Sequence, residues 1–431
     1  MRLMRLLGAF SSRNYRLYFA GQIVSLMGTW MSQTAAMWLV YHLSSSPFQL
    51  GLVGFANLAP IFFLGPLAGV WVDRVNRHKL LVATQCASMV QSFLLAGFAL
   101  TDTIDVPHII ALSLLQGVIN AIDMPVRQAM VVDFVDNREH LGNAIALNSS
   151  LFNLARLVGP AIGGFIIAAF GAGICFLIDG FSYLAVIIAL LAMRLRPQVP
   201  KAVTKHPWLE MRDGFNYAFG FPPIKALILL VAGFSITGFS YTVLMPVFAR
   251  DVFQGDAKTL GWLMAASGVG ALLGALYLGT RKTVRGLGDV ITLGGVLLAL
   301  GVSGFATSSW IAVSVICLAF AGAGGVLLMA SSNTLVQTFV EDDKRGRVMS
   351  LFTMAFTGTV PLGNLAAGAI ANRVGAANTL MFSGLTCLVA VGMFYRKLPS
   401  LREAAAPILA RLDVSEVTPP GVALGAKEDA T

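Results

Sequence analysis

Long apolar stretches recur along this chain and set the strongest limit on what it can fold into. A membrane-spanning helix needs about 20 mostly apolar residues, and twelve such runs follow one another between residues 17 and 395. Their bounds are 17–43, 48–72, 79–101, 106–132, 141–169, 173–193, 222–249, 258–280, 287–307, 309–337, 348–371 and 376–395. The sequence therefore predicts an all-α membrane protein with twelve transmembrane helices.

Composition excludes several functional classes. Hydrophobic residues make up 56% of the chain and charged residues only 12%, about half the charged fraction of a soluble domain. The net charge of +9 comes from basic residues in the short connections, where they determine topology and contact lipid headgroups, so we expect no nucleic acid partner. The four cysteines are isolated from one another, without metal-binding spacing. We expect no metal, no cofactor and no enzymatic activity.

The basic residues alternate between connections. The N-terminal segment carries four arginines and the even-numbered connections carry further Lys and Arg, whereas most odd-numbered connections are nearly neutral. The positive-inside rule then predicts a bacterial-type inner-membrane protein with both termini in the cytoplasm.

A polar segment near the middle divides the chain. It predicts a cytoplasmic linker over 194–221, with one amphipathic surface helix, between six-helix bundles at 1–193 and 222–396. The tail, 397–431, has little apolar periodicity and is predicted to be disordered. The halves echo each other weakly: Leu50-Gly51 matches Leu260-Gly261, and Gly163 matches Gly368. Two pseudo-symmetric bundles would place a substrate path on the axis between them.

The strongest local motif ends the second span. It contains Gly65, Gly69, Asp73, Arg74 and Arg77. Small residues allow a second helix to approach closely, and a carboxylate at the membrane surface can accept hydrogen bonds from a neighbouring helix N-terminus. The pattern predicts a contact that joins the two halves on one side of the membrane and releases during transport; the alternative is a topology loop without a gating role.

A second motif lies in the fifth span and consists of Arg156, Gly159, Pro160, Gly163 and Gly164. Gly-Pro within a helix weakens backbone hydrogen bonding and allows a kink, and the glycine pair permits close packing.

These motifs together resemble the major facilitator superfamily. The 65–79 segment resembles its loop-two-three signature, with Asn76 where the pattern has a second glycine; Asn tolerates the left-handed backbone that Gly would supply. The 155–164 segment is similar to the antiporter motif of facilitator-type exporters, although Ala146 and Ala155 stand where the longer motif has glycines. The segment 341–350, together with Arg127, resembles the enterobactin-exporter-like branch, whose members export drugs and siderophores. The resemblance implies transport by alternating access and favours export.

Charges inside a bilayer are costly and are treated as functional by default. Asp123 and Asp179 are candidate proton carriers, and Arg156 would shift the pKa of either one; a static ion pair explains them equally well. Polar residues within the spans are candidates for the cavity wall or, equally, for hydrogen bonds between helices. These candidates are Gln22, Trp30, Gln33, Asn57, Tyr241, Asn333 and Asn364.

The sequence thus predicts a monomeric secondary transporter in the lipid bilayer. We expect it to export a small amphipathic molecule, such as a drug, a siderophore or another metabolite, by proton antiport. A proton-coupled uptake symporter of the same fold is the alternative. A membrane-embedded enzyme is a remote one, because no outer connection is long enough for a catalytic domain.

Overall fold

The computed structural model describes residues 8–72, 75–195, 207–281, 283–341 and 343–417, and the regular elements within these ranges are helices. In chain order they are α1 (Arg13–Ser44), α2 (Pro47–Val72), α3 (Arg77–Leu100), α4 (Val106–Phe134), α5 (Leu141–Phe170), α6 (Ala172–Leu191), α7 (Pro207–Gly220), α8 (Pro222–Thr237), α9 (Tyr241–Val247), α10 (Ala257–Thr280), α11 (Leu287–Thr307), α12 (Ile311–Phe339), α13 (Arg345–Thr357), α14 (Val360–Val374) and α15 (Ala376–Val417). Short 3₁₀ helices at Gly8–Ser11 and Arg138–His140 precede α1 and α5.

Most of these helices have the length and composition of membrane spans. Eleven segments in the described ranges qualify, and two of them combine a pair of consecutive helices, α8 with α9 and α13 with α14. Helix α1 does not qualify, because buried polar residues such as Gln22, Ser25 and Ser32 lower its hydropathy. It is nevertheless 32 residues long, about 48 Å at 1.5 Å per residue. With α1 as the first span, the predicted twelve-helix membrane architecture is confirmed.

The seventh span is broken in its middle. Helix α8 ends at Thr237 and α9 begins at Tyr241, so the Thr237 carbonyl loses its helical partner. The hydroxyl of Ser383 in α15 donates to that carbonyl. Helix α9 then passes into a π-helical turn at Phe248–Val252, two residues after Pro246, which has no N–H to donate. Such turns are frequent at functional positions.

The eleventh span is broken as well. Helix α13 ends at Thr357 and α14 begins at Val360, with Pro361 in its first turn. Proline is tolerated there because the first N–H groups of a helix have no helical acceptor. The Thr359 hydroxyl donates to the carbonyl of Ala355, 2.7 Å away. The hydropathy pattern of 348–371 gives no sign of this interruption.

The helices form two bundles with equivalent packing. In the first bundle α2 packs on α4 and α3 packs on α6; in the second, α10 packs on α12 and α11 packs on α15. Between the bundles, α2 packs on α14 and α5 packs on α10. Helix α2 of the first bundle corresponds to α10 of the second, and α5 corresponds to α14, so the two interface pairs are equivalent. Two parallel repeats produce this arrangement.

The segment between the bundles contains α7, in the place of the surface helix that the sequence predicts. Its Tyr217 ring lies 4.6 Å from the Lys344 ammonium, and its Asp213 carboxylate lies 3.9 Å from the Arg347 guanidinium. These contacts hold the linker helix against the start of α13.

The last helix extends beyond the twelfth predicted span. Helix α15 continues to Val417, into the tail that the sequence predicts to be disordered from residue 397. Leu398 and Ala405 are buried against the second bundle, and the Arg402 guanidinium lies 2.5 Å from the Asp289 carboxylate of α11. The tail prediction therefore needs correction up to Val417, because short-range apolar spacing was too sparse to reveal this packing. Residues 418–431 lie outside the described ranges.

Candidate functional site

The two bundles are in close contact at one end of the molecule, which we call the sealed end. A Cβ atom at Gly51 in α2 would lie 3.0 Å from the Gly368 Cα of α14, and one at Gly164 in α5 would lie 3.1 Å from the Gly261 Cα of α10. Only glycine allows backbones to approach this closely. The contacts also refine the internal repeat: because Gly51 and Gly261 are equivalent, Gly368 corresponds to Gly164, one residue after the predicted Gly163.

Polar contacts reinforce the sealed end. Arg250, in the π-helical turn, donates to the Tyr41 carbonyl at 3.0 Å and to the Ser45 hydroxyl at 3.1 Å, and its guanidinium lies 5.8 Å from the Tyr41 ring centre. The Tyr41 hydroxyl donates to the Asp251 carboxylate. We call Tyr41, Ser45, Arg250 and Asp251 the sealed-end cluster. It joins the end of α1 to the end of the seventh span across the bundle interface.

Replacing Arg250 with Met should weaken the sealed end, because Met keeps an apolar stem but removes the hydrogen bonds. Losing a charge-assisted hydrogen bond costs about 1.5–3 kcal/mol, so we expect the population open at this end to rise roughly tenfold or more. Ala257 is 2% exposed and lies beside Gly164, so a cysteine there becomes accessible only when the sealed end opens. In purified Ala257→Cys protein that lacks the native cysteines, the rate of maleimide labelling should rise by a similar factor. Arg373→Met, at an exposed arginine of the same end, is the control, and an unchanged rate with Arg250→Met would contradict the role of the cluster.

The opposite end, which carries the N-terminal residues of α1, is open. Gly65 and Gly279, near the far ends of α2 and α10, have no atom within 4 Å of where a Cβ would be. A cavity of about 590 Å³ lies here between α1, α4 and α5. Its lining mixes aromatic, apolar and amide side chains with one arginine; it includes Tyr18, Gln22, Leu26, Arg127, Gln128, Ile145, Asn148, Phe152 and Asn153.

Asp123 lies in a hydrogen-bonded network beside this cavity. Its carboxylate accepts hydrogen bonds from Thr84 and Gln85 of α3, each at 2.7 Å, and forms an ion pair with Arg127 one turn later in α4. Arg127 also donates to the Gln22 amide oxygen of α1 at 3.0 Å. The network joins three helices, and it gives Asp123 a cationic neighbour other than the predicted Arg156. The i,i+4 spacing of Asp123 and Arg127 was the sequence signal for this pair.

Asp179 in α6 is 3% exposed and has a different environment. The Ser92 hydroxyl of α3 donates to its carboxylate at 2.8 Å, and Ser182 donates to its backbone carbonyl at 2.7 Å. Thr29 and Ser32 of α1 also lie within hydrogen-bonding reach of the carboxyl group. Within the described ranges no lysine or arginine forms an ion pair with Asp179. A charge there would be buried without a counter-charge, which is costly.

The fifth-span motif lies at a crossing of three helices. A Cβ at Gly159 would lie 2.6 Å from the Trp30 Cβ, and one at Gly163 would lie 3.0 Å from the Met31 Cγ, both in α1. The Pro160 carbonyl lies 2.8 Å from a Cβ at Gly261 of the other bundle. The motif therefore contacts α1 within the first bundle and α10 across the bundle interface. Half-buried Arg156 lies one turn before Pro160 in α5.

The other cavity candidates are dispersed. The Trp30 ring packs edge-on to Phe152, with 5.6 Å between centroids, and the Tyr241 hydroxyl lies 2.8 Å from the Ser267 hydroxyl. Gln33 is exposed. The remaining three have helix-packing or local contacts: the Asn57 and Asn364 carbonyls face Gly117 and Gly51, and Asn333 accepts a hydrogen bond from Gln337.

The predicted gating motif is only partly described. Asp73 and Arg74 lie outside the described ranges, and Gly69 belongs to α2. Arg77 begins α3, preceded by Asn76, whose side chain accepts a hydrogen bond from the Lys79 N–H at 3.0 Å. Asn76 has φ −67°, so it acts as a helix N-cap here and not as the left-handed residue expected for a glycine replacement.

Comparison with known proteins places this architecture in a family. A family model described as a transmembrane secretion effector matches residues 6–420. The chain is 27% identical to a staphyloferrin A transporter of Staphylococcus aureus, covering 88% of this chain and 94% of that one. It is also 27% identical to the multidrug efflux pump Tap of Mycolicibacterium fortuitum, covering 87% and 93%.

Solved structures agree on the fold. A peptide transporter of the POT family superposes with a TM-score of 0.72 at 12% identity, covering 91% of this chain and 96% of that one. A bacterial homologue of the lysosomal transporter Spinster, described as inward-facing and unoccupied, superposes with a TM-score of 0.68 at 13% identity, covering 91% and 97%. These relatives are transporters and not enzymes. The chain is therefore a multi-pass membrane transporter that belongs to the transmembrane secretion effector family of the major facilitator superfamily.

Proposed function

We propose that this protein exports a small amphipathic molecule from the cytoplasm by alternating access, driven by proton antiport. The observation that carries the proposal is the 590 Å³ cavity at the open end, which has the size of a drug-sized ligand site. Its mixed aromatic and amide lining suits an amphipathic molecule. Relatives described as a siderophore transporter and as a multidrug efflux pump support the same class of substrate.

The direction of transport depends on orientation in the membrane. Arg13, Arg16 and Arg194 lie at the open end, together with the 3₁₀ helix Arg138–His140. The positive-inside rule supports a cytoplasmic open end and cytoplasmic termini in the inner membrane. The described conformation would then accept its substrate from the cytoplasm.

Proton coupling is assigned to Asp179 in preference to Asp123. Asp123 already has Arg127 as its counter-charge, and this pair suits a fixed structural role. Asp179 is surrounded by hydroxyl groups from three helices. Binding a proton removes its uncompensated charge in this conformation, and ionisation becomes favourable once water reaches it in another.

Cells loaded with a panel of lipophilic fluorescent dyes test the proposal. We expect wild-type protein to lower retention of at least one dye severalfold relative to empty vector, and a protonophore or Asp73→Asn to abolish the difference, given equal amounts of protein at the membrane. Asp73 belongs to the predicted gating motif, whose carboxylate would stabilise the contact between halves. Higher retention in wild-type cells would contradict export and favour proton-coupled uptake instead.

A further inference from the structure

The cavity at the open end has a cationic side chain in its wall. Of the described residues that line its volume of about 590 Å³, Arg127 of α4 is the one that carries a charge. The side chain of Arg127 is 28% exposed. Charged residues inside a membrane face a counter-charge or a water-filled pathway and mark the routes of substrates, so a cation on a cavity wall is suited to contact the transported molecule.

The ion pair of Arg127 with Asp123 has its positive end on the side of the cavity. The Asp123 side chain is only 3% exposed, and its carboxylate accepts hydrogen bonds from Thr84 and Gln85 of α3. Arg127 lines the cavity and Asp123 does not, so the guanidinium is the nearer of the two charges. Because charges interact more strongly at shorter distance, an anion in the cavity is attracted by the guanidinium more than it is repelled by the carboxylate.

Unused hydrogen-bond donors lie together at this point of the wall. Each terminal nitrogen of the Arg127 guanidinium has two N–H groups, and the contacts with Gln22 and Asp123 use one on each nitrogen. Since arginine only donates, Gln22 presents its amide oxygen to Arg127, at 3.0 Å. The NH₂ group of Gln22 is left to donate, and within the described part of the chain no acceptor contacts it. Such a wall suits a ligand group that only accepts hydrogen bonds.

We propose that Arg127, together with the amide groups of Gln22 and Gln128, binds a carboxylate group of the transported molecule in this cavity. The inference rests on the proposed export function and specifies one chemical feature of its substrate. A carboxylate fits because it has two oxygens with about four acceptor positions, and its hydrogen bonds with a guanidinium are charge-assisted. The apolar and aromatic lining, which includes Leu26 and Phe152, contacts the rest of the molecule.

Binding of two matched probes to the purified protein tests this proposal. The probes are 7-(diethylamino)coumarin-3-carboxylate and its neutral carboxamide, and fluorescence anisotropy gives their dissociation constants. The protein is embedded in nanodiscs of phosphatidylcholine alone, so that no anionic lipid headgroup competes, and empty nanodiscs give the contribution of probe that partitions into lipid. We expect wild-type protein to bind the carboxylate about tenfold more tightly than the carboxamide, because charge-assisted hydrogen bonds are the stronger ones.

Two variants of the ion pair separate recognition of the anion from a structural role. Asp123→Asn removes the opposing charge and keeps Arg127, so the preference for the carboxylate should rise by a further factor of roughly five. The double variant Asp123→Asn/Arg127→Gln leaves no unpaired charge in the network and should bind both probes with equal affinity. An ion pair with a structural role alone would change neither ratio. Arg194→Gln removes an exposed arginine of the same end that does not line the cavity, and this control should keep the wild-type preference.

Several results would overturn the proposal. They are no measurable binding of the carboxylate, equal affinity of wild-type protein for the two probes, a preference that Asp123→Asn fails to raise, and an unchanged preference in the double variant. A preference that excess phosphatidylglycerol abolishes would assign the site to lipid headgroups and overturn it too. Because binding is measured without transport, its failure is distinguishable from failure of the proposed export, which the dye-retention experiment measures.

Discussion

Replacing Asp179 with Asn is expected to lower proton-driven export at least about tenfold while the protein stays folded. Asn keeps the size and hydrogen-bonding capacity of the protonated carboxyl group, so the contacts with Ser92 and Ser182 remain. It can neither release nor bind a proton. Dye export from energised cells, normalised to the amount of protein in the membrane, measures the loss.

Exchange of dye across the membrane without a proton gradient separates coupling from binding. Asp179→Asn should retain such exchange, because the bundles can still rearrange around the bound dye. Asp102→Asn is the matched control: Asp102 is exposed and has φ 56°, a conformation that Asn adopts readily. If Asp179→Asn exports dye as well as wild-type protein and still responds to a protonophore, Asp179 is not the coupling carboxyl group.

Replacing Gly51 with Leu is expected to abolish transport by preventing closure of the sealed end. A Cβ at Gly51 would lie 2.5 Å from the Asn364 carbonyl oxygen of the other bundle, so the larger side chain forces the helices apart. Overpacking of this kind costs about 1–3 kcal/mol or more, which shifts a two-state equilibrium by roughly 5–150-fold. Labelling of Ala257→Cys by maleimide should accelerate accordingly.

Replacing Gly65 with Leu is expected to act in the opposite direction. Gly65 has open space around it in this conformation, and the predicted motif makes it a close-packing position when the open end closes. The variant should therefore fold, label slowly at Ala257→Cys and transport poorly. Gly97→Leu, at an exposed glycine with no neighbouring atom, is the control for helix substitution alone. Equal labelling of the Gly51 and Gly65 variants would contradict the assignment of the two ends.

Hydropathy was sufficient to predict the spans, because lipid imposes one simple requirement on every helix. Hydropathy does not predict the interruptions of the seventh span at 238–240 and of the eleventh span at 358–359. At the first break the Thr237 carbonyl accepts hydrogen bonds from Ser240 within the break and from Ser383 of another helix. The mean hydropathy of a segment gives no information on which side chains of other helices will lie beside it.

The internal repeat is visible in the sequence, but the predicted match between the fifth and eleventh spans, Gly163 with Gly368, is wrong by one residue. Gly163 and Gly164 are adjacent, and both are small, so the pattern alone could not decide between them. The structure separates them by direction: Gly163 packs on Met31 in its own bundle, and Gly164 packs on Gly261 in the other. Helical rotation of about 100° per residue accounts for the difference.

The sequence predicts the positions of the buried charges better than their environments. The apolar runs around Asp123, Asp179 and Arg156 place these residues inside the bilayer, where a charge is costly. Their partners depend on which helix faces which, and this information is absent from one sequence except within a helix. The Asp123–Arg127 pair, one turn apart, was within reach; the hydroxyl groups around Asp179 come from two other helices and were not.

The most direct test of the account is the movement of protons in proteoliposomes that contain the purified transporter. A dye exported in the cell experiment is added on the side facing the open end, and a pH-sensitive fluorophore reports protons on both sides. Proton antiport predicts that an imposed pH gradient drives dye uphill, that protons move in the direction opposite to the dye, and that Asp179→Asn removes both effects. Movement of dye and protons in the same direction, or dye transport that ignores the gradient, would contradict the central claim.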